Sequence, residues 1–413
     1  MTGAQRMAPR TARRLPSNDP QRWRNERALG LAIAIGAAGV AVASRYLAGR
    51  AHRAAGEGLV DWRRAEQIAS SRLSRAAGAL PKAELRAAEA EYARIMNAVV
   101  PLLETRLDLP LPGVVERHAV VDRAGWAKAN LVTFEHLIGR LERQLRLPAG
   151  PGFASGVARL ANRFLTTQQV GFFVGYLGTR VLGQYDIALL SAEAKPGRLL
   201  FVEENIRMTA ASLGVPLNDF RTWICLHETT HAFEFEAHEW LRPYLAERLE
   251  KQLAGVLDQA RSLQTDGIAA FLRRLGETRG NPMTALLTAE QRQLFRETQT
   301  VMSLLEGFSD WVMDEVGEQI LPNVRQVRQR FEQRRAQRQR GLDWVIARLT
   351  GLDLKLEQYR RGERFVSGVA AVGGHEAVRL LWQGPWALPT ERELTHPSEW
   401  VQRVAPHTIR AAD

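Results

Sequence analysis

Beyond about residue 60 the apolar residues return at three- and four-residue spacing, so most of the chain reads as helix with one buried face. The pattern predicts amphipathic helices over about 61–78 and 82–105, and another from Gly125 to Leu145. Val115–Val121 reads as a strand. Asp186–Leu190 and Arg198–Val202 read as two short strands across a Lys195-Pro196-Gly197 turn, hence a hairpin. Phe220, Trp223, Ile224 and Leu226 fall in one helix of about 219–241, with Asn218 as its N-cap and Pro243 beyond its end. Thr288-Ala289-Glu290-Gln291 has the capping-box pattern and starts a helix of about 289–318. The sequence has no repeat and no nucleotide-binding glycine loop. The expected class is mainly α (α+β), with a small sheet.

Length and composition divide the chain. Of its 413 residues 45% are hydrophobic, and the part from 56 to 413 exceeds what one compact core holds, which predicts two helical lobes around a cleft. Residues 1–55 differ in character. The first 27 are polar and arginine-rich and read as disordered. Ala28–Ala43 then carries no charge, but as helix it spans only about 24 Å, short of a bilayer core unless Ser44–Ala48 join it. Three readings stand: a membrane anchor through residues 28–48, an export signal processed after Ala41-Val42-Ala43, and a buried or accessory helix. Location is accordingly open between cytoplasm, membrane and export. Cys225, the single cysteine, excludes an intramolecular disulfide and reads as a packed core thiol.

The chemistry sits in the 219–241 helix, at His227-Glu228-Thr229-Thr230-His231. Residues four apart face the same way, so two imidazoles of an H-E-x-x-H can bind one zinc ion. Glu228, beside the first, can act as base on a water that the metal polarises. The bland alternative is a pair of stacked, hydrogen-bonded histidines with Glu228 toward solvent. The bulky apolar residues before His227 favour the metal site, because they suit a helix buried under a cleft.

A catalytic zinc needs a third protein ligand. His238 lies nearly on the stripe of His227, but on a continuous helix it is about 10 Å beyond His231. No glycine intervenes to break the helix and bring it back. Glu306, in Leu304-Leu305-Glu306-Gly307-Phe308, is the better candidate, since an unpaired carboxylate in such apolar surroundings is costly. Asp310, one turn on, can accept the outer N–H of a ligand histidine. An ordinary acidic helix face is the alternative, with Asp314 and Glu318 continuing the row. Tyr359, with Lys355, Arg360 and Arg361, lies on a later helix before Gly362 and can supply an oxyanion donor, as can His238.

Several separated blocks share a resemblance. They are Gly58-Leu59-Val60-Asp61-Trp62, Val121-Asp122-Arg123-Ala124-Gly125-Trp126, Val181-Leu182-Gly183-Gln184-Tyr185-Asp186, the His227–His231 motif, Leu305-Glu306-Gly307, and Gly351 to Gly362. Together they resemble the bacterial zincin-like (zinicin-like) metallopeptidases linked to deazaflavin-coenzyme biosynthesis, over about residues 58–405. The resemblance implies a zincin-like fold with a small sheet beside the zinc helix. It also implies a gluzincin-type site with His227, His231 and Glu306 on Zn2+ and Glu228 catalytic. It names no substrate; a peptide or protein is the expected one.

Charge supplies the rival reading. The formal charge is +11, and all but five of the 56 basic residues are arginine. Seven of them fall in Arg325–Arg340 against Glu332 alone. A nucleic-acid or acidic-membrane surface would look like this, but no nucleic-acid module accompanies the run, and a solvated helix face is the favoured reading. The other classes in play are a zinc-binding protein without catalysis and a basic scaffold at a membrane or nucleic acid.

Overall fold

The computed structural model describes residues 58–145, 153–186, 197–252, 254–255, 288–337 and 353–408. The expected apolar segment 28–48 and the end of the arginine run lie outside them. No described helix is long and apolar enough to cross a membrane. Two units divide the chain, one of residues 58–147 and 166–413, the other of 1–57 and 148–165. Of the second, only a stretch of helix from Phe153 is described. Apart from the opening residues of that helix, all that follows concerns the first.

That unit is mainly helical, as the apolar periodicity requires. Helix α1 is Trp62–Leu73 and α2 is Lys82–Leu107. Strand β1 is His118–Val121, preceded by a 3-10 turn at Val115–Arg117, so the expected strand is shorter by three residues. Helices α3 (Arg123–Leu145) and α4 (Phe153–Gly178) follow. Strand β2 is Gly183–Asp186 and β3 is Arg198–Val202. They pair antiparallel, with Asp186 opposite Arg198. The first arm of the hairpin thus ends where it was expected to begin, and residues 187–196 lie outside the description. Helix α5 (Glu203–Leu213) leads through Gly214 to α6 (Leu217–Glu236). Then come α7 (Ala289–Ile320), α8 (Val324–Gln337), α9 (Asp353–Arg379) and α10 (Pro397–Val404).

The sheet has the order β1-β3-β2, with β1 parallel to β3. Side chains alternate across it. Leu199 and Phe201 enter the larger apolar core, which holds α2, α6, α7, α9 and α10, while Leu200 and Val202 enter a smaller one with α1 and α3. Both faces of the central strand are therefore buried, which is why it lacks the polar alternation of a half-exposed strand.

Helix starts follow local chemistry. Thr288 and Gln291 form the capping box at the head of α7. Asn218 does not cap α6. The helix begins two residues earlier, after Pro216, and Asn218 Oδ1 accepts instead from Arg221 Nη1 at 2.9 Å. Gly214 closes α5 with φ of 64°, a left-handed value that glycine accepts without strain. A buried cluster then ties α6 to its neighbours: Glu203 accepts from Arg221, from Arg207 Nε at 2.7 Å and from Tyr92 Oη at 2.8 Å.

Helices α7 and α9 cross almost in backbone contact. A Cβ on Gly307 would lie 2.1 Å from the carbonyl carbon of Gly362, and one on Gly362 would lie 1.8 Å from Ser303 O. No side chain fits there, so the two glycines set the depth at which α9 presses on the helix bearing Glu306. Gly362→Ala is expected to force the helices apart and lower the unfolding free energy by about 1–3 kcal/mol or more. Urea unfolding of the two proteins checks this, and an unchanged midpoint would show that the crossing yields freely.

Candidate metal centre

Helix α6 is buried along most of its length and carries the motif on the face that meets α7 and β2. His227 and His231 are one turn apart, and Glu306 approaches from α7. One ligand atom from each lies within 4.8 Å of the others, and His227 Nε2 is 3.5 Å from a Glu306 carboxylate oxygen. Tetrahedral zinc with bonds near 2.1 Å holds its ligands about 3.4 Å apart, so the spacing fits. Two imidazoles and one carboxylate are a zinc donor set.

The surroundings fix the imidazoles. His231 Nδ1 is 2.7 Å from Glu234 Oε2, which directs the N–H to the carboxylate and leaves Nε2 for a metal. Ser309 of α7 donates to the other Glu234 oxygen at 3.4 Å. Burial raises the Glu234 carboxyl against the pull of His231. Burial opposes the charged form of His231 while Glu234 favours it, and the imidazole is raised on balance. The pair therefore holds a proton between its facing atoms. The ring of His227 lies parallel to that of Trp223, one turn earlier, with centroids 6.1 Å apart. Its Nδ1 is buried without a hydrogen-bond partner. Asp310, expected to accept from a ligand histidine, makes no such bond here. Burial pushes its carboxyl up to about 6, with His227 and Arg328 pulling it down.

Glu228 turns away from solvent, toward the sheet. Its Oε2 accepts from the Tyr185 N–H at 3.1 Å. Burial raises its carboxyl above the ordinary value, while His227 and His231 oppose the shift. Gly183 makes room for it: a Cβ there would lie 2.6 Å from Glu228 Cγ. Strand β2 is an edge of the sheet among the described residues. Since Tyr185 turns its N–H toward α6, Gly183, two residues before it, presents its backbone on that same side. His227, His231, Glu306, Glu228 and the edge strand all line one cavity of about 510 Å³.

A search against known families matches residues 60–401 to the zincin-like metallopeptidases. The chain belongs to that family. A solved structure from Chloroflexus aurantiacus, of a protein proposed to be a hydrolase with a novel fold, is 36% identical. The alignment covers 83% of this chain and 98% of that one, with a TM-score of 0.61. No curated protein matches the chain.

In this zincin-like chain the sequence reasoning brought together His227, Glu228, His231 and Glu306 but missed their supports. Glu234 stands three residues after His231, a spacing that places it on the same helix face and could have revealed it. Gly183 and Tyr185 stood within a quoted block without a role. Gln184 between them faces the other way and is held by Trp126 Nε1 at 2.7 Å, which joins that block to the Val121–Trp126 block. His238 takes no part. Helix α6 stops at Glu236 rather than near 241, and the His238 imidazole bonds to Glu234 O at 2.9 Å, lining a different cavity. Tyr359 lies in α9, but its side chain is outside the described residues.

Two substitutions probe the supports. Glu234→Gln should weaken zinc binding about 10–100-fold, measured by competition with a chromogenic chelator; unchanged affinity would remove the orienting role. Gly183→Ala should leave zinc content intact while displacing Glu228, and full retention of any hydrolytic activity would show that the base does not depend on this contact.

Proposed function

We propose that the protein is a zinc-dependent hydrolase of peptide bonds, with His227, His231 and Glu306 as ligands. One observation carries the reading: a buried, desolvated carboxylate, Glu228, lies beside the three-ligand cluster in the cavity that the edge strand borders. When bound, zinc supplies Lewis acidity, polarising a carbonyl oxygen and lowering the pKa of water. Glu228 takes the proton of the attacking water, whose oxygen bonds to the carbonyl carbon. The same carboxyl then gives that proton to the amide nitrogen as the C–N bond breaks. Burial suits it to both tasks, because a raised pKa makes it a stronger base and still lets it release the proton. An extended substrate backbone can pair with the open side of Gly183 in β2.

Asp310, whose carboxyl feels the charge of His227, is proposed as acceptor for the unpartnered Nδ1 of that ring in the loaded protein. Tyr359, three residues before the Gly362 crossing, is proposed as donor to the oxyanion. The coenzyme link carried by the resemblance assigns no residue here. A binding-only zinc protein is the rival, and Glu228→Gln separates the two. The enzyme reading expects one zinc per chain in wild type and in Glu228→Gln, loss of zinc in Glu306→Ala, and a fall of at least about 100-fold in peptide hydrolysis in Glu228→Gln. Zinc in the wild type with no cleavage of a diverse peptide library would favour the binding protein.

A further inference from the structure

We propose that the metal cavity accepts an apolar side chain of its substrate, beside the bond to be cut, in a recess walled by Phe235, Leu245, Met302 and Leu305. The inference rests on the peptidase reading and names its substrate class. Helix geometry places the recess. Phe235 lies one turn after His231 on α6, and Met302 one turn before Glu306 on α7. Each therefore stands about 6 Å along its helix from a proposed ligand. Both line the cavity, together with Leu305 of α7 and Leu245 of the helical stretch that follows α6. Phe235, Leu245 and Leu305 are 6%, 5% and 1% exposed, and Met302 is half-buried.

The two ends of the cavity differ. At the opposite end, one turn before His227, Trp223 packs on Phe331 of α8 with centroids 4.8 Å apart. Arg334, three residues further along α8, lines the cavity with them. Arg180 also lines it and precedes Gly183, where β2 starts. Tyr185, further along that strand, stacks on Phe235 with centroids 5.9 Å apart, so the recess continues the path of the edge strand. None of its four wall residues is charged or donates a hydrogen bond. An apolar group that covers such a wall gains by leaving water, whereas a polar group there loses its water without a replacement partner. Extended chains place successive side chains about 3.3 Å apart, so the side chain next to the cut bond is within reach of the recess. Met302 is unbranched and adaptable, which suits aliphatic and aromatic side chains alike.

That side chain can belong to the residue before the cut bond or to the one after it. Two series of short peptide hydroxamates distinguish these, one with the variable residue before the zinc-binding head and one with it after. In each series the residue is leucine, asparagine of similar size, or glycine. Affinity for the zinc-loaded full chain is measured by calorimetry. In at least one series leucine should bind about tenfold or more tighter than asparagine and glycine. Met302→Gln keeps the side-chain length and makes the wall polar. It should reduce that advantage several-fold without loss of zinc, and the series in which it does so identifies the side. Leu245→Phe, which narrows the recess, should likewise reduce the advantage of leucine over glycine, and it is decisive if Met302→Gln folds poorly. Equal binding of the three residues in both series, or a leucine advantage untouched by either variant, overturns the recess and leaves the proposed function standing. No binding of any probe to the zinc-loaded protein overturns both.

Discussion

A charge taken out of water must find a partner, and α6 is a buried helix crowded with groups that obey this rule. Arg221, His227, Glu228, His231, Glu234 and Glu236 all lie on it, among Phe220, Ile224, Leu226, Phe233 and Phe235. Much of the fold is the set of answers. Glu203 of α5 meets Arg221, the Tyr185 N–H of β2 meets Glu228, and Ser309 of α7 joins His231 on Glu234. Glu236 takes Arg117 at 2.6 Å and the Tyr185 hydroxyl at 2.7 Å. Removing one partner of such a buried pair costs about 3–5 kcal/mol, far more than the pair contributes over an apolar replacement. These contacts therefore fix how α6 sits more firmly than they stabilise the protein. His227, His231 and Glu306 meet in the one cluster among the described residues whose atoms could hold a metal ion.

Close packing does the complementary work. Glu306 reaches the histidines only if α7 lies near α6, and α9 backs α7 through the Gly307–Gly362 crossing. Gly183 serves the same end on a smaller scale, letting the edge strand approach until the Tyr185 N–H meets Glu228. The glycines stand where backbone has to come closest to the chemistry.

The arginine-rich helix α8 is also engaged by ion pairs and hydrogen bonds to its neighbours. Arg328 pairs with Asp314 at 2.5 Å and Glu363 at 2.6 Å, and Arg325 with Glu318 at 2.6 Å. Arg330 donates to Leu213 O and Gly214 O at the end of α5. The acidic row of α7 beyond Glu306 thus serves as the counter-charge of α8. The described part of the arginine run links elements together, and Arg334 brings one of its charges to the metal cavity.

Whatever depended on spacing within one helix was legible in the sequence. Two histidines four apart share a face by helical geometry alone, and the Thr288–Gln291 box set the start, hence the extent, of the helix bearing Glu306. The apolar periodicity likewise determined the mainly helical class. Tertiary structure decided the rest. The hairpin's first arm takes in Gly183, Gln184 and Tyr185, ahead of the expected start at Asp186, because these residues pair with β3 and meet α6, and neither contact is visible in a local window. Helix rise already excluded His238 as a ligand, and its remaining place as an oxyanion donor is lost because its imidazole bonds to Glu234 O and lines another cavity. Helix periodicity is a property of neighbouring residues and can be read from their order. Which buried charge answers which is settled only when segments far apart in sequence are packed together.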